Sequence, residues 1–315
     1  VSLVGMIVAG GCQIIPDRFH PTSWWDEVIS SRATVMHYLG IMPPILMKLA
    51  PSPRDREHHV RFGLGAGIDP AIHRPFEERF GFPMVEVWGM SETGRLFGDC
   101  YEPRRIDTRA FGKPWGTFQA RIVDEHDRDV PNGIPGELLV RDGGTDPRRG
   151  FFRGYLKDPE ATARAWTGGW FHTGDVATQG DDGMLYFVER KKNIIRRSGE
   201  NISAAEVENG ILEHPSIAKV TALAIEDELR DEEVMACVVL RPGQSASRDT
   251  AEAIAAFGRE RLAYFKVPGW IVFVDELPTT STQKVQKGLI FAKDEDPRRH
   301  PGAFDLRALK KRDKA

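Results

Sequence analysis

The sequence predicts an α/β protein in which a mostly parallel α/β region leads into a β-rich subdomain and then a small α+β domain. Three observations carry this expectation. Between residues 60 and 87 a strand, a capped helix and a second strand follow one another, the rhythm of a parallel sheet. After Arg105 short apolar runs alternate with glycine and proline turns. From about Arg190 onward, helical and β-rich segments mix within a stretch long enough for a small domain. A length of 315 residues agrees with about two domains.

Residues 24–31 and 43–49 carry apolar side chains at helical spacing. Residues 60–64 and 84–87 read as short buried strands. The helix between them, 69–80, opens on Asp69-Pro70, a good N-cap followed by proline at the first helical position. In the β-rich part, residues 119–123, 137–141 and 184–188 read as strands. They are separated by Pro131-Asn132-Gly133, Pro135-Gly136 and Asp182-Gly183. In the last part, Ser203 and Glu206 have the spacing of a capping box, which opens a helix to about His214. Strands are expected at 220–225, 234–240 and 270–274, and a helix at 250–262. The boundaries that follow are 1–110 for the α/β part, 111–189 for the β-rich subdomain, 190–295 for the small domain and 296–315 for a charged tail, expected to be loosely ordered.

The first fifteen residues are apolar, yet a membrane span needs about 20 such residues. A signal peptide should open on positive charge, and the first basic residue is Arg18. The segment is therefore expected to be buried in an α/β core, as though a domain had been cut through. A net charge of −3 gives no general attraction to nucleic acid or anionic membrane. Three dispersed cysteines, Cys12, Cys100 and Cys237, make neither a disulfide framework nor a zinc spacing, which points to a reducing, cytoplasmic setting. There are no internal repeats, and an oligomer is compatible with all of this.

Four segments carry candidate chemistry. In VEVWGMSETG (85–94) a strand ends at Gly89 and is followed by Ser91, Glu92 and Thr93. A carboxylate beyond a strand's carboxyl end suits Mg²⁺, which takes a few protein oxygens and keeps water and phosphate for the rest; a solvated turn is equally open. In GWFHTGD (169–175) Asp175 follows a turn after an apolar strand. Such a carboxylate can accept two hydrogen bonds from a ribose diol, or simply cap the turn. In ERKKNIIRRSGENI (189–202) five basic residues flank an apolar pair, and a solvated face and a nucleic-acid patch are both open. The absence of interleaved aromatics speaks against nucleic acid. In ELPTTSTQKVQKG (276–288) Lys284 follows a run of small hydroxyl residues. It is placed either as a point charge for a phosphate or as a surface lysine.

In order and spacing, these segments, with RGFFRGYLKDPEATARAWTGGWFHTGD (149–175) at the centre, closely resemble the adenylate-forming superfamily. That group includes acyl- and aryl-CoA synthetases, peptide-synthetase adenylation domains and luciferases. The resemblance covers residues 5–292. Residues 151–175 and the TSTQK spelling also resemble medium-chain and crotonobetaine/carnitine-type ligases. The implied fold is the C-terminal part of the large AMP-binding domain followed by a small mobile domain.

The resemblance implies roles residue by residue. Gly65, Ala66 and Gly67 match the loop that packs on adenine, and Trp88 matches the aromatic beside it, within the nucleotide-binding run Trp88-Gly89-Met90-Ser91. Glu92 matches the Mg²⁺ ligand, Asp175 the residue holding the ribose hydroxyls, and Arg190 a contact to ribose and phosphate. Lys192 matches the hinge between large and small domains, and Ser198, Gly199, Glu200 and Asn201 the loop lining the pantetheine tunnel of coenzyme A. Tyr38, Leu39 and Gly40 match a segment that lines the acyl pocket. Lys284 matches the catalytic lysine of the first half-reaction. The implied chemistry joins a small-molecule carboxylate to ATP, giving acyl-AMP and pyrophosphate, and then passes the acyl group to CoA.

Three departures accompany the match. Gln283 stands where the family usually has glycine before the lysine, and Gly40 replaces a usual proline. Nothing in the chain matches the Ser/Thr/Gly-rich loop that grips the β- and γ-phosphates. Two alternatives to a working ligase therefore stay open: a truncated remnant that binds nucleotide or CoA without full catalysis, and an adenylation domain that loads a carrier protein.

Overall fold

The computed structural model describes residues 2–280 and 285–310. The chain divides into two compact units, 1–188 and 189–315. No helix among the described residues is long and apolar enough to cross a membrane.

The first unit begins with α1 (Ser2–Val8), α2 (Trp24–Ser30), β1 (Val35–Leu39), α3 (Met42–Met47), β2 (Phe62–Ala66), α4 (Pro70–Phe80), β3 (Met84–Met90) and β4 (Gly94–Gly98). The sheet order is β1-β2-β3-β4; the first three strands are parallel and β4 runs back along β3. Helix α4 starts where the sequence predicts, with the Asp69 carboxylate accepting the Ala71 amide at 2.9 Å. It stops at Gly81, whose φ of 82° is the left-handed C-cap conformation that glycine adopts without strain. Its buried face, His73, Phe76 and Phe80, packs on Met36, Tyr38 and Met84 of the sheet, and Trp25 stacks on Phe80 with ring centroids 4.6 Å apart. Each such aromatic stabilises the fold by roughly 1.5–3 kcal/mol through burial.

The rest of this unit comprises β5 (Ala110–Gly112), β6 (Phe118–Val123), β7 (Gly136–Asp142), α5 (Pro159–Ala165), β8 (Trp166–Thr167), β9 (Trp170–Gln179) and β10 (Leu185–Arg190), which ends at the boundary. They form an antiparallel sheet in the order β5-β10-β9-β7-β6, with β8 beside β9. Its core joins Phe111, Leu138, Phe171 and Leu185 to Trp88 and Phe97 of the first sheet.

The second unit contains β11 (Ile194–Arg197), β12 (Glu200–Ser203), α6 (Ala204–Leu212), β13 (Ile217–Asp227), β14 (Asp231–Leu240), α7 (Arg248–Arg259), β15 (Trp270–Phe273) and β16 (Ala303–Asp305). The order is β12-β11-β14-β15-β16, with β13 paired to β14. Ile211, Ile254 and Ala255 of the helices bury against Ala236, Val238 and Ile271 of the strands.

Two expectations need correction. The apolar opening segment is not buried: α1 leaves Val4, Ile7 and Val8 exposed, because nothing among the described residues packs over it. The charged tail is not loose over its described residues, 296–310. Residues 303–305 add edge strand β16, Leu306 is buried in the core, and its amide donates to the Gly269 carbonyl at 2.8 Å. A short apolar pair, Phe304 and Leu306, anchors what the surrounding charges made look solvated.

Glu77 links α4 to the start of β3. It accepts the Met84 amide at 2.7 Å, the His73 ring at 3.1 Å and the Arg104 guanidinium at 2.7 and 3.0 Å. Burial pushes this carboxyl up, but the hydrogen bonds from His73, Arg104 and Met84 outweigh it and bring it down to about 2. A depressed carboxyl stabilises the fold fully above its ordinary value of 4.5, and that contribution is lost as pH falls toward 2. Glu77→Gln should cost about 2–3 kcal/mol at pH 7. In urea unfolding followed by tryptophan fluorescence, the gap between wild type and variant should narrow as pH falls from 4.5 toward 2. A gap independent of pH would contradict the assignment.

Candidate functional site

Ligands of parallel sheets bind beyond the carboxyl ends of the strands. In the first unit those ends are Tyr38-Leu39-Gly40 at the end of β1, Gly65-Ala66-Gly67 at the end of β2 and Trp88-Gly89-Met90 at the end of β3. The first two pair directly, Tyr38 with Gly65 and Leu39 with Ala66. They approach so closely that only glycine fits. A Cβ on Gly40 would lie 2.1 Å from the Gly67 carbonyl oxygen, and one on Gly65 would lie 2.2 Å from that of Tyr38. The result is a bare peptide surface at the strand ends, suited to contact with a flat ring.

One carboxylate holds this surface in shape. Glu86 on β3 accepts the Gly67 amide at 2.8 Å, the Ile68 amide at 3.2 Å and the Tyr38 hydroxyl. Burial pushes the Glu86 carboxyl up, and those hydrogen bonds lower it only in part. Tyr38 itself departs from expectation. Side chains alternate along a strand, and on β1 that sends Met36 and Tyr38 into the helix-side core and leaves Val35, His37 and Leu39 on the other face. Tyr38 is fully buried, with its hydroxyl also 3.2 Å from the Val85 carbonyl, and does not line an acyl pocket; Leu39 is exposed and Gly40 half-buried.

Trp88 and Asp175 meet. The indole Nε1 donates to the Asp175 carboxylate at 2.9 Å, and both side chains are buried. Asp175 does not follow a tight turn; it lies within β9, where its amide donates to the Thr173 hydroxyl at 3.0 Å. Trp88 stacks on Phe97, ring centroids 5.5 Å apart, and packs near Phe111. Its ring is thus part of the inter-sheet core. Beyond it, Gly89 and Ser91 are exposed, and the turn is closed by the Thr93 hydroxyl accepting the Met90 amide at 3.1 Å.

Glu92 is half-buried, with its Oε1 accepting the Tyr155 hydroxyl at 3.1 Å and its carbonyl accepting the Phe152 amide at 2.8 Å. No cluster of three or more metal-ligating side chains occurs among the described residues. A single carboxylate with a hydroxyl neighbour fits Mg²⁺ carried on a nucleotide's phosphates, and does not fit an ion held by protein alone. A cavity of about 630 Å³ is lined by Leu64, Val87, Phe97, Tyr101 and Trp115 among others and contains none of the expected site residues.

The remaining candidates lie in the second unit. Arg190 and Lys192 belong to the segment entering it, where residues 191–193 form a single 3-10 turn. Buried Glu189 fixes that turn: it accepts the Arg190 amide at 2.8 Å and the Asn193 side chain at 3.3 Å, and ties both to the start of α6 through Ser203 at 3.0 Å and the Ala205 amide at 3.1 Å. Ser203 caps α6 as expected, accepting the Glu206 amide at 3.3 Å, while the Glu206 carboxylate pairs with Lys266 at 2.6 Å. Ser198 and Gly199, with φ of 50° and 82°, form the two-residue turn between β11 and β12. Ser198, Gly199, Glu200 and Asn201 are exposed. Lys284 and the neighbouring Gln283 lie outside the described residues.

Comparison with known proteins places this geometry. Residues 1–156 match the family model of AMP-binding enzymes, and residues 206–284 that of the AMP-binding enzyme C-terminal domain. The chain belongs to the adenylate-forming, AMP-binding enzyme family. Among curated relatives, the crotonobetaine/carnitine–CoA ligase of Proteus mirabilis (strain HI4320) is 35% identical over 286 residues, covering 88% of this chain and 53% of that protein. The chain thus spans about half the length of the curated relatives it matches. Among solved structures, ATP-bound MatB from Rhodopseudomonas palustris superposes with a TM-score of 0.75 at 25% identity, covering 91% of this chain and 56% of that one. The o-succinylbenzoate CoA synthetase MenE from Bacillus subtilis, in complex with the acyl-adenylate OSB-AMP, gives 0.77 at 23% identity, over 94% and 58%, and speaks to the fold alone.

Three residues of the site were missed by sequence reasoning. Glu86 lies within the 85–94 segment, but its strand position reads as core and drew no role. Tyr155 reaches Glu92 from 63 residues away. Glu189 opens a basic run that drew attention to its cations. The glycine contact is directly testable. Gly40→Ala must displace the Gly67 peptide, and should destabilise the first unit by about 1–3 kcal/mol. Thermal melts and AMP titration should show both effects; a variant with wild-type melting and binding would refute the close packing.

Proposed function

We propose that the chain serves an AMP-forming acyl-CoA ligase reaction, of which it supplies the C-terminal portion. The observation that carries the reading is the meeting of Gly65–Gly67 with the Tyr38–Gly40 segment under the control of Glu86, beside a Trp88–Asp175 pair. That is a backbone platform with a buried carboxylate nearby, the parts a nucleoside monophosphate needs. The curated relative named above is a CoA ligase, which supports the same class of reaction here.

In this reading a carboxylate oxygen of the substrate attacks the α-phosphorus of ATP, the bond to the β-phosphate oxygen breaks, and pyrophosphate leaves. The CoA sulfur then attacks the acyl carbonyl, the mixed anhydride opens and AMP departs with the electron pair. Glu92 would hold Mg²⁺, which when bound with ATP would supply positive charge against the phosphates. Gly65, Ala66 and Gly67 pack on the adenine, Asp175 orients the ribose, and Arg190 contacts ribose and phosphate. Lys284 serves the first step as a compact cation bridging the two reacting groups. Movement about Lys192 then exchanges it for the Ser198–Asn201 turn, a hinge change of the kind that remakes a site between half-reactions.

The test uses the chain as it stands. Calorimetry should detect AMP binding, weakened about tenfold in Asp175→Asn through loss of a charged hydrogen bond. Supplied with a synthetic acyl-adenylate and CoA, the chain should form the thioester. ATP–pyrophosphate exchange that vanishes in Lys284→Ala would establish the first half-reaction as well. Folded protein that binds neither AMP nor CoA would sink the proposal.

A further inference from the structure

The second unit holds a buried charge network that the proposed mechanism does not use. Glu233 on β14 is fully buried. The Arg197 guanidinium Nε donates to its two oxygens at 2.9 and 2.8 Å, and Arg197 is itself only 4% exposed. Lys310, near the C-terminus, donates to Glu233 Oε1 at 2.6 Å and to the Phe265 carbonyl at 3.1 Å, with a side chain 2% exposed. The Val234 amide adds a bond at 2.9 Å, and Arg230 stands 3.7 Å away.

The position of Arg197 gives this network a direction. Arg197 is the last residue of β11, directly before the Ser198–Gly199 turn, and pairs across the hairpin with Glu200. The Ser198 amide donates to the carbonyl of Arg230 at 3.0 Å, so the turn meets the same corner of the unit through backbone and side chain. A two-residue turn leaves little slack, so what fixes Arg197 fixes the turn. Arg197 is fixed by Glu233, and Glu233 is held in turn by Lys310, which shares its Oε1 with Arg197. The Lys310 segment is in turn anchored by Leu306 in the core and by Arg307, which pairs with Asp227 at 2.9 Å and lies over the Trp270 ring.

We propose that the C-terminal segment from Leu306 to Lys310 is a positioning element for the CoA turn, with Lys310 acting through Glu233 and Arg197 on Ser198 and Gly199. This rests on the reading that the turn engages CoA. Lys310 touches no substrate; it is a positioning residue. A buried carboxylate shared by two cations has fewer accessible arrangements than one held by Arg197 alone. Removing the Lys310 charge therefore frees the Arg197 side chain and the turn that follows it.

Two variants separate this from a bulk effect on folding. Lys310→Met keeps the length of the side chain and its apolar packing but removes the charge; Lys310→Arg keeps the charge. Hydrogen exchange at the amides of residues 196–201 is measured alongside the β13–β14 amides. The KM for CoA and kcat are measured in thioester formation from a synthetic acyl-adenylate. In Lys310→Met, turn exchange should rise about tenfold with β13–β14 unchanged, and KM for CoA should rise by about five- to tenfold with kcat within about twofold. Lys310→Arg should restore most of both. Unchanged turn exchange in Lys310→Met overturns the coupling, whatever CoA does. Exchange that rises across the whole unit without rescue by arginine also overturns it, since Lys310 would then serve the fold alone. A wild-type chain that takes up no CoA overturns the functional reading beneath the proposal, and with it the role assigned to the turn.

Discussion

The first unit depends on the carboxylate of Glu86. The side chain starts on β3, and its two oxygens take the hydroxyl of Tyr38 from β1 and the amides of Gly67 and Ile68 after β2. Three adjacent strand ends are thereby tied to one group. Amides just past the end of a strand have no ladder partner, and buried amides must find one. By supplying it from within the sheet, Glu86 lets the Gly65–Gly67 backbone stop at the surface without a side chain above it. The close contact of Gly40 with Gly67 follows from the same tie.

The pattern recurs in the second unit. Glu189 binds the entering segment to the start of α6, and Glu233 binds β11 to the C-terminal segment. Each is a buried carboxylate that joins chain segments distant in sequence, and each sits beside a stretch expected to be functional. Buried charges of this kind add little net stability relative to well-packed apolar groups, but they penalise every arrangement that leaves them unpaired. That gives the strand ends and the turn a defined geometry while the surfaces they present stay bare.

Much of the fold was legible because it follows local rules. Asp69-Pro70 marked the start of α4, Ser203 marked α6, and the glycine and proline turns marked the antiparallel strands. β1 was not anticipated, since its five residues alternate between a buried face and an exposed one and resemble the helical segments beside them. The tail misled for the opposite reason: its charges are numerous, but Phe304 and Leu306 seat it on the core, and Arg307 and Lys310 find buried carboxylate partners. Within the site, Glu86, Tyr155 and Glu189 lie inside the motifs, yet their partners Gly67, Glu92 and Ser203 lie outside the same segments, and no spacing rule encodes such pairings.

The Trp88–Asp175 bond shows how the two sheets of the first unit share one task. Trp88 ends the parallel sheet and Asp175 lies in the antiparallel one, so their hydrogen bond joins the sheets at the point where the strand ends open. A tyrosine in place of Trp88 would put its polar atom at the tip of the ring; the indole places a donor on the side of a larger one. Here that donor is spent on the carboxylate, while the ring face packs on Phe97. The orientation of the Asp175 carboxylate therefore depends on a residue whose own burial belongs to the inter-sheet core. A change in that core, even far from β9, reaches the Asp175 carboxylate through this hydrogen bond.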